Sequence, residues 1–283
     1  DQTYQSYWSI SWNIFKKNKV AMVCLFIVIL LCLIALFAPL IAPYDPNKQV
    51  LTDRLMKPCG QHWFGTDDLG RDIFSRIIYG CRVSLSVGII SQIIATVIGY
   101  TMGVCAGYYG GKVDSVISFL IQVFSSFPFL LFAMAIMFVL GPGLINLYLA
   151  LGLLGWASTA RLIRGDVMRL KKMEYIDACK VSGGNSFRII MKHLLPNCLS
   201  TLIVTVTLGI PNAIMSEASL SFLGLGVKAP MASWGSMISF SQPYIRSATY
   251  YSVIPGLAII ITVLAFNMLG DGLRDALDPK LRS

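Results

Sequence analysis

The chain has 283 residues, of which 55% are hydrophobic and only 13% are charged, against about 25% charged in an average soluble domain. This composition excludes an ordinary soluble globular protein and indicates an all-α protein that crosses a membrane several times. The formal net charge of +9 does not require a nucleic acid partner, because Lys and Arg gather at the cytoplasmic edge of membrane proteins.

Residues 1–43 predict an N-terminal interfacial segment followed by the first membrane span. The stretch 1–19 is aromatic and polar and ends in lysines, as expected at a membrane surface. Residues 20–40 are uncharged and long enough to cross about 30 Å of hydrocarbon. Because no small-residue cleavage pattern follows, we expect no cleavable signal peptide. Residues 44–82 then predict an extracytoplasmic loop, in which six basic residues are balanced by five acidic ones.

Residues 83–283 predict a core of five further spans. A Gly99/Gly103 pair favours close helix packing in the second span. The third span contains Phe127-Pro128 and should be kinked there, and the fifth contains Pro211. These five spans are expected at about 83–106, 115–140, 144–162, 195–218 and 250–269.

Six spans place both termini on one side of the membrane, and charge indicates which side. With the termini in the cytoplasm, 15 of the 23 Lys and Arg residues are internal and eight external. This bias follows the positive-inside rule. We therefore expect six transmembrane helices with cytoplasmic N- and C-termini.

The densest basic stretch is the loop between the fourth and fifth spans. Residues 161–192 contain eight of the 23 basic residues. Within the loop, 165–195, a short helix is predicted over 175–182, because this stretch lacks Gly and Pro. Gly183-Gly184 should end that helix, and a second helical piece, 186–193, should lead to Pro196. Such a loop is suited to docking a cytoplasmic partner.

No pattern of catalytic residues is visible. His62 and His193 lie on opposite sides of the predicted membrane, so they cannot form a metal pair. Segment 107–113 lacks the first glycine of a phosphate-binding loop and the Ser or Thr after its Lys. We therefore expect no enzymatic activity and no metal or cofactor in this chain.

The spans also lack the buried charges that mark ion-driven pumps, with Glu217 as the main exception. Glu217 is interpreted either as a snorkelling or paired carboxylate or as a gating group. If the chain moves a solute, the energy must come from another polypeptide. Polar side chains in the spans are candidates for a translocation path, although ordinary hydrogen bonds between helices, worth about 0.6 kcal/mol each, are the alternative. The candidates are Gln92, Ser125, Ser126, Thr205 and Glu217, with Ser91 and Thr207 as further polar positions.

The central loop resembles the signature of ABC importer membrane subunits. In order, it has Asp177-Ala178-Cys179, three residues, Gly183, nine residues and then 193–196, His-Leu-Leu-Pro. Cys179 replaces the second Ala of that signature, and His193 replaces an Ile, as is usual in the peptide-importer branch. The resemblance implies an ATPase-coupling site at Tyr175, Asp177, Ala178, Cys179, Gly183, His193, Leu195 and Pro196.

Three other segments resemble the second ("C-type") permease of dipeptide and oligopeptide importers. They are 64–76, 217–226 with the Ser-Trp-Gly at 233–235, and 270–279. A nickel-importing branch of the family has nearly the same motifs, so a nickel or metal-chelate importer remains an alternative. An ion-coupled carrier acting alone and a membrane scaffold or sensor are alternatives from different classes.

The resemblance implies a type I ABC importer permease fold in a bacterial inner membrane. It further implies a homologous partner permease, two ABC ATPase subunits that bind ATP and Mg²⁺, and an extracytoplasmic solute-binding protein. The chain itself would then be non-catalytic and would form half of a path for di- and oligopeptides. Cys59 and Cys81 share the predicted external loop, and the sequence leaves open whether they pair.

Overall fold

A computed structural model describes residues 7–277, which form a bundle of twelve α-helices. These residues contain no β-strand, only an isolated bridge between Thr66 and Asp72. The predicted positions 1–6 and 278–283 lie outside the described residues. The helices are α1 (Tyr7–Lys17), α2 (Lys19–Leu36), α3 (Ala38–Ile41), α4 (Ile73–Tyr109), α5 (Gly111–Ser126), α6 (Phe129–Leu140), α7 (Leu144–Leu170), α8 (Glu174–Val181), α9 (Ser186–Ile189), α10 (Leu195–Phe222), α11 (Trp234–Ser241) and α12 (Thr249–Leu277).

The helical, membrane-spanning class is confirmed. Within 7–277, four helical segments are long and apolar enough to cross a membrane, and α5 with α6 makes a fifth if the bent pair is one span. Helix α7 is not among them; its second half contains Arg161, Arg164 and Arg169. The number six and the orientation of the termini therefore stay predictions. The four segments are Lys19–Leu36, Ile73–Tyr109, Ser186–Phe222 and Thr249–Leu277.

Helix α4 begins ten residues before the predicted span, so the loop predicted over 44–82 ends at Asp72. Asp72 caps the helix: its Oδ2 accepts a hydrogen bond from the backbone N–H of Ser75 at 2.8 Å. Arg76, expected in the loop, is instead buried on α4, where its Nε lies 3.4 Å from Asp67 Oδ2. The same carboxylate oxygen accepts from Arg71 Nε at 2.6 Å. A buried ion cluster therefore folds the end of this loop against the helix.

The predicted kink at Phe127-Pro128 is present as a 90° bend between α5 and α6. Phe127 adopts an extended conformation, with ψ of 139°, as a residue before proline prefers. Aromatic rings fill the inside of the bend, with the Phe124 centroid 5.4 Å from Trp156 and 5.7 Å from Phe132. The bend is therefore set by local sequence and held by packing.

Helices α4 and α7 pack closely against each other through glycines spaced four apart. A Cβ on Gly99 would lie 2.6 Å from Thr159 Cβ, and one on Gly103 would lie 2.7 Å from the carbonyl oxygen of Ala160. The predicted small-residue pair does therefore allow the backbones to touch.

Helix α12 runs beyond the predicted span end at 269, so the described part of the expected charged tail is helical. Gly272 faces α2, where an added Cβ would lie 2.4 Å from Ala21 Cβ. Phe15 of α1 and Ala276 of α12 belong to the same buried cluster. The amphipathic N-terminal helix therefore packs on the end of α12.

Candidate functional site: a docking loop and a cleft

The segment between α7 and α10, which we call the docking loop, contains helix α8. This helix ends in a hydrogen-bonded glycine cap. Gly183 has φ of +80°, a left-handed conformation that is strained for residues with a side chain. Its N–H donates to the carbonyl of Lys180 at 3.0 Å, and the N–H of Gly184 donates to that of Cys179 at 2.9 Å. This pair of bonds is the Schellman motif. The Gly-Gly sequence therefore stops α8 and turns the chain toward α9.

One face of α8 is fixed to the bundle. Ile176 is fully buried and packs in one cluster with Val167 and Leu170 of α7 and with Leu194 and Cys198 at the start of α10. Ile176 therefore joins α8 to the ends of both long helices. Close packing makes such a contact stiff.

The loop is also tied to the end of α4. Lys171 Nζ donates to the carbonyl oxygen of Tyr108 at 2.5 Å and lies over the Tyr108 ring, 5.7 Å from its centroid. The Tyr108 hydroxyl donates to Ser186 Oγ at 3.4 Å. Three long helices, α4, α7 and α10, thus hold the loop in place.

The opposite face of the docking loop carries apolar and basic side chains that no other part of residues 7–277 covers. Val181 is 89% exposed and Phe187 is 71% exposed. Sequence analysis did not single out either residue, although isolated apolar side chains among Lys, Arg and Ser were the available signal. Exposed basic residues surround them: Lys172, Lys180, Arg188 and Lys192.

The predicted coupling residues divide between the two faces. Cys179, His193 and Leu195 are partly buried, and the Tyr175 and His193 rings lie 6.1 Å apart. Asp177 pairs with Lys180 on the exposed side at 2.8 Å. The exposed members are Tyr175, Asp177, Ala178, Gly183 and Pro196.

A cleft of about 1460 Å³ runs along α10 and is also lined by α4, α5, α6, α7 and the end of α12. Its charged groups lie near the loop: Asp166 and Arg169 on α7 and Arg274 on α12. Hydroxyl and amide groups line the rest, among apolar side chains. These groups are Ser91, Gln92, Ser125, Ser158, Asn197, Ser200, Thr201, Thr205, Asn212, Ser216 and Ser219.

Gln92 is the polar residue of α4 that bridges to α10. Its Nε2 donates to Thr96 Oγ1 at 3.3 Å and to the carbonyl oxygen of Thr205 at 3.5 Å. The amide rests on Gly209, where an added Cβ would lie 2.2 Å from Gln92 Cδ. The glycine therefore makes room for the glutamine in the cleft wall.

Three of the five predicted path residues, Gln92, Ser125 and Thr205, line the cleft. Ser125 Oγ accepts from Arg161 Nη2 at 2.9 Å. Ser126 and Glu217 are not part of the cleft lining. The Ser126 hydroxyl instead donates to the carbonyl oxygen of Gln122 at 2.7 Å.

Glu217 lies behind the cleft wall and does not reach the surface. It is fully buried, and hydroxyls donate to both carboxylate oxygens: Ser84 to Oε2 at 3.2 Å and Ser221 to Oε1 at 2.6 Å. This position excludes a snorkelling carboxylate. The sequence did not reveal its partners, because Ser84 is 133 residues away in the chain.

The cysteines and histidines form no shared site. Cys59 and Cys81 are both free; Cys59 is exposed, and Cys81 is buried with its Sγ 3.5 Å from the carbonyl oxygen of Leu31. His62 Nδ1 lies 2.9 Å from Asp72 Oδ1. In the described range 7–277, no three His, Cys, Asp or Glu side chains are grouped so as to hold a metal ion.

Comparison with known proteins gives two matching families. A family described as "Binding-protein-dependent transport system inner membrane component" matches residues 96–283, and "N-terminal TM domain of oligopeptide transport permease C" matches residues 6–58. The chain is similar to the dipeptide transport system permease protein DppC of Bacillus subtilis, with 46% identity covering 98% of this chain and 87% of that protein. It is 42% identical to the oligopeptide permease OppC of the same organism, covering 98% and 91%. It is also 42% identical to the glutathione permease GsiD of Pectobacterium atrosepticum, covering 100% and 94%.

A solved structure of similar fold is the inward-facing MetNI methionine ABC transporter. One of its chains superposes with a TM-score of 0.58 at 19% sequence identity, covering 73% of this chain and 98% of that one. At this level of identity the similarity concerns the fold alone.

Proposed function

Because the chain belongs to the family of binding-protein-dependent transport system inner membrane components, we propose that it forms half of the channel of an ATP-driven importer of short peptides. Members of this family are non-catalytic, multi-pass subunits of ABC transporters in the bacterial inner membrane. Two surfaces of this chain, the cleft and the docking loop, are candidates for separate parts of that function.

The cleft is the proposed half-channel. A peptide presents backbone N–H and C=O groups whatever its side chains are, and hydroxyl and amide side chains can hydrogen-bond both. The relatives named above are dipeptide, oligopeptide and glutathione permeases, which favours a peptide over a nickel complex as cargo. The charges near the loop, such as Asp166 and Arg169, lie at one end of the cleft and leave most of its length neutral.

The docking loop is the proposed coupling site, at the residues named for it above. The supporting observation is the contrast between its faces: Ile176 is fully buried, whereas Val181 and Phe187 are the bare apolar groups opposite it. Because one side of α8 is packed against the bundle and the other side is exposed, a bound partner that displaces α8 can transmit this displacement to α7 and α10. The proposed partner is an ABC ATPase, which would bind the ATP and Mg²⁺.

The proposed assembly contains this chain, a homologous permease, two ABC ATPase subunits and an extracytoplasmic solute-binding protein in a lipid bilayer. ATP would shift the channel towards one of its two access states, because the complex would bind ATP more tightly in that state. An ion-coupled carrier acting alone receives no support from the family assignment.

Gly183 provides the test of the coupling site. Gly183→Leu places a side chain on a residue in a left-handed conformation, at a cost of about 1–2 kcal/mol. We expect the substitution to disturb the hydrogen bonds that end α8 and to alter the exposed face of the helix. We expect weaker ATPase binding and reduced ATP-driven dipeptide uptake in the reconstituted complex. Gly165→Leu is the matched control, because Gly165 is helical and an added Cβ there meets open space.

Unchanged uptake with Gly183→Leu would show that α8 is not the coupling helix. Parallel assays with Ni²⁺ in place of dipeptide test the cargo. Nickel uptake without peptide uptake would assign the chain to the metal-importing alternative.

A further inference from the structure

A buried carboxylate connects three helices at the end of α10 opposite to the docking loop. Glu217 lies in the last two turns of α10 and is 0% exposed. Its hydrogen bonds reach Ser84 on α4 and Ser221 on α10. Ser221 Oγ in turn lies 3.5 Å from Ser233 Oγ, and the N–H of Trp234 donates to Ser84 Oγ at 3.4 Å. We call Ser84, Glu217, Ser221, Ser233 and Trp234 the outer clasp.

The clasp lies at the N-terminus of α11. Ser233 caps that helix, with its Oγ accepting from the N–H of Ser236 at 3.1 Å. A helix N-terminus favours a nearby negative charge. The hydroxyls of Ser84 and Ser221 supply direct donors, so the carboxylate is hydrogen-bonded on both oxygens.

Packing around the clasp leaves no room for α11 to slide. A Cβ on Gly235 would lie 2.5 Å from Ala218 Cα, and one on Gly80 would lie 3.0 Å from Trp234 Cδ1. The Trp234 indole N–H donates to the carbonyl oxygen of Ile77 at 3.1 Å. Helix α11 is therefore held by both α4 and α10.

The clasp is next to the cleft but outside it. Met215, Ser216 and Ser219 of the same α10 segment line the cleft, while Glu217 is directed away from it. Any motion of α10 that reshapes this end of the cleft must either move α11 along or break the clasp. Moving α11 away from α4 and α10 would break the contact between Ser221 and Ser233 and leave the buried N–H of Trp234 without its acceptor on Ser84, which is unfavourable.

We propose that Glu217 is a positioning residue that makes the ends of α4, α10 and α11 move as one rigid body during transport. This inference rests on the proposed transport function. It excludes a route in which α10 and α11 separate to let the cargo into the cleft. Rigid-body motion of packed segments about an interface is a common form of conformational switching.

A cross-link distinguishes the two modes of opening. Ser221 and Ser233 have their hydroxyl oxygens 3.5 Å apart, so cysteines at these two positions are a suitable pair for a cross-link between α10 and the start of α11. The Ser221→Cys/Ser233→Cys chain, in the complete complex, is oxidised with copper phenanthroline, and mass spectrometry locates the bond. We expect the same ATP-driven dipeptide uptake before and after reduction with dithiothreitol.

Uptake that is lost on oxidation and restored by reduction would overturn the proposal, since α10 and α11 would then have to separate. The two single cysteine chains control for oxidation of native thiols. Should the complex import Ni²⁺ and not dipeptide, the substrate proposal fails, and the same redox comparison is made with Ni²⁺ as cargo.

A second pair of variants tests Glu217 itself. Glu217→Gln keeps the shape and can still hydrogen-bond, so we expect it to retain the ratio of peptide imported to ATP hydrolysed. Glu217→Ala removes the carboxylate that joins Ser84 to Ser221 and so loosens the contact of α11 with α4 and α10; we expect this ratio to fall at least about fivefold, the lower end of coupling effects between sites. A wild-type ratio in Glu217→Ala, in complexes with normal subunit content, would overturn the positioning role.

Discussion

At the scale of single residues, Gly209 and Gln92 form the most demanding contact in the cleft wall. Gly209→Ala would place a methyl carbon 2.2 Å from Gln92 Cδ, so the amide must leave its bonds to Thr96 and Thr205. We expect a loss of about 1–3 kcal/mol, as for other overpacked positions, together with slower peptide uptake. Thermal unfolding of the purified chain and uptake by the complex measure the two effects.

Two further chains decide whether that loss comes from this contact. Gly209→Ala combined with Gln92→Ala removes the clash and should recover most of the stability. Gly256→Ala is the matched control, because Gly256 is also helical and an added Cβ meets nothing within 4 Å. Unfolding of Gly209→Ala at the wild-type temperature would show that the Gln92 amide does not pack against Gly209.

Residue-scale features could be predicted from sequence only where they are local. The glycine stop of α8 needs just Gly183-Gly184 and a preceding helix, and it is present as expected. Glu217 was recognisable as an unusual charge, but its burial depends on Ser84 and Ser233, which sit on other helices. Three-dimensional packing, not local pattern, decides such contacts.

At the scale of helices, the bend between α5 and α6 depends on Pro128. Pro128→Ala restores a backbone N–H and lets Phe127 become helical, so we expect the pair to straighten. Spin labels at exposed Val116 and Val139 should then move from about 24 Å to about 35 Å apart, estimated from the rise of a bent and a continuous helix. Pulsed electron spin resonance measures this distance.

Uptake should fall with the straightening, because Phe127, Phe129 and Leu130 line the cleft. Pro142→Ala is the control, since Pro142 lies in the turn between α6 and α7. A distance that stays near the bent value would mean that aromatic packing alone sets the bend.

Apolar runs predicted most helices, and charge obscured some of their ends. Arg76 and Arg82 made 73–82 resemble a loop. Helix α4 nevertheless begins at Ile73, because Asp72 caps its first turn and Asp67 pairs with the buried Arg76. The kink in the third span was predictable from Pro128, but its 90° angle was not, since ring packing contributes to it.

At the scale of the whole molecule, the orientation in the membrane is still a prediction. Cys59 lies exposed in the loop before α4, and Val181 is exposed on the docking loop. Two chains are compared: one retaining only Cys59, and one with no native cysteine and Val181→Cys. In right-side-out vesicles we expect an impermeant maleimide to label Cys59 at once, and Val181→Cys only after permeabilisation.

The reverse labelling would place the docking loop outside the cell and remove it from any cytoplasmic ATPase. Labelling of both positions without permeabilisation would indicate leaky vesicles, which an enclosed dye reveals.

The family could be predicted from motifs spread over the whole chain. The cleft could not, because it is formed by side chains from six helices.

The cleft has a consequence for how the cell must make this protein. Its row of Ser, Thr, Asn and Gln groups is not covered by another part of residues 7–277. Helix carbonyls accept hydrogen bonds from several of these groups, but their remaining hydrogen-bonding capacity finds no partner in hydrocarbon. An orphan subunit inserted alone would thus carry a polar seam into the lipid. If the proposed partner permease covers this face, we expect balanced synthesis of the two permeases, or rapid removal of an excess of either one by membrane quality control.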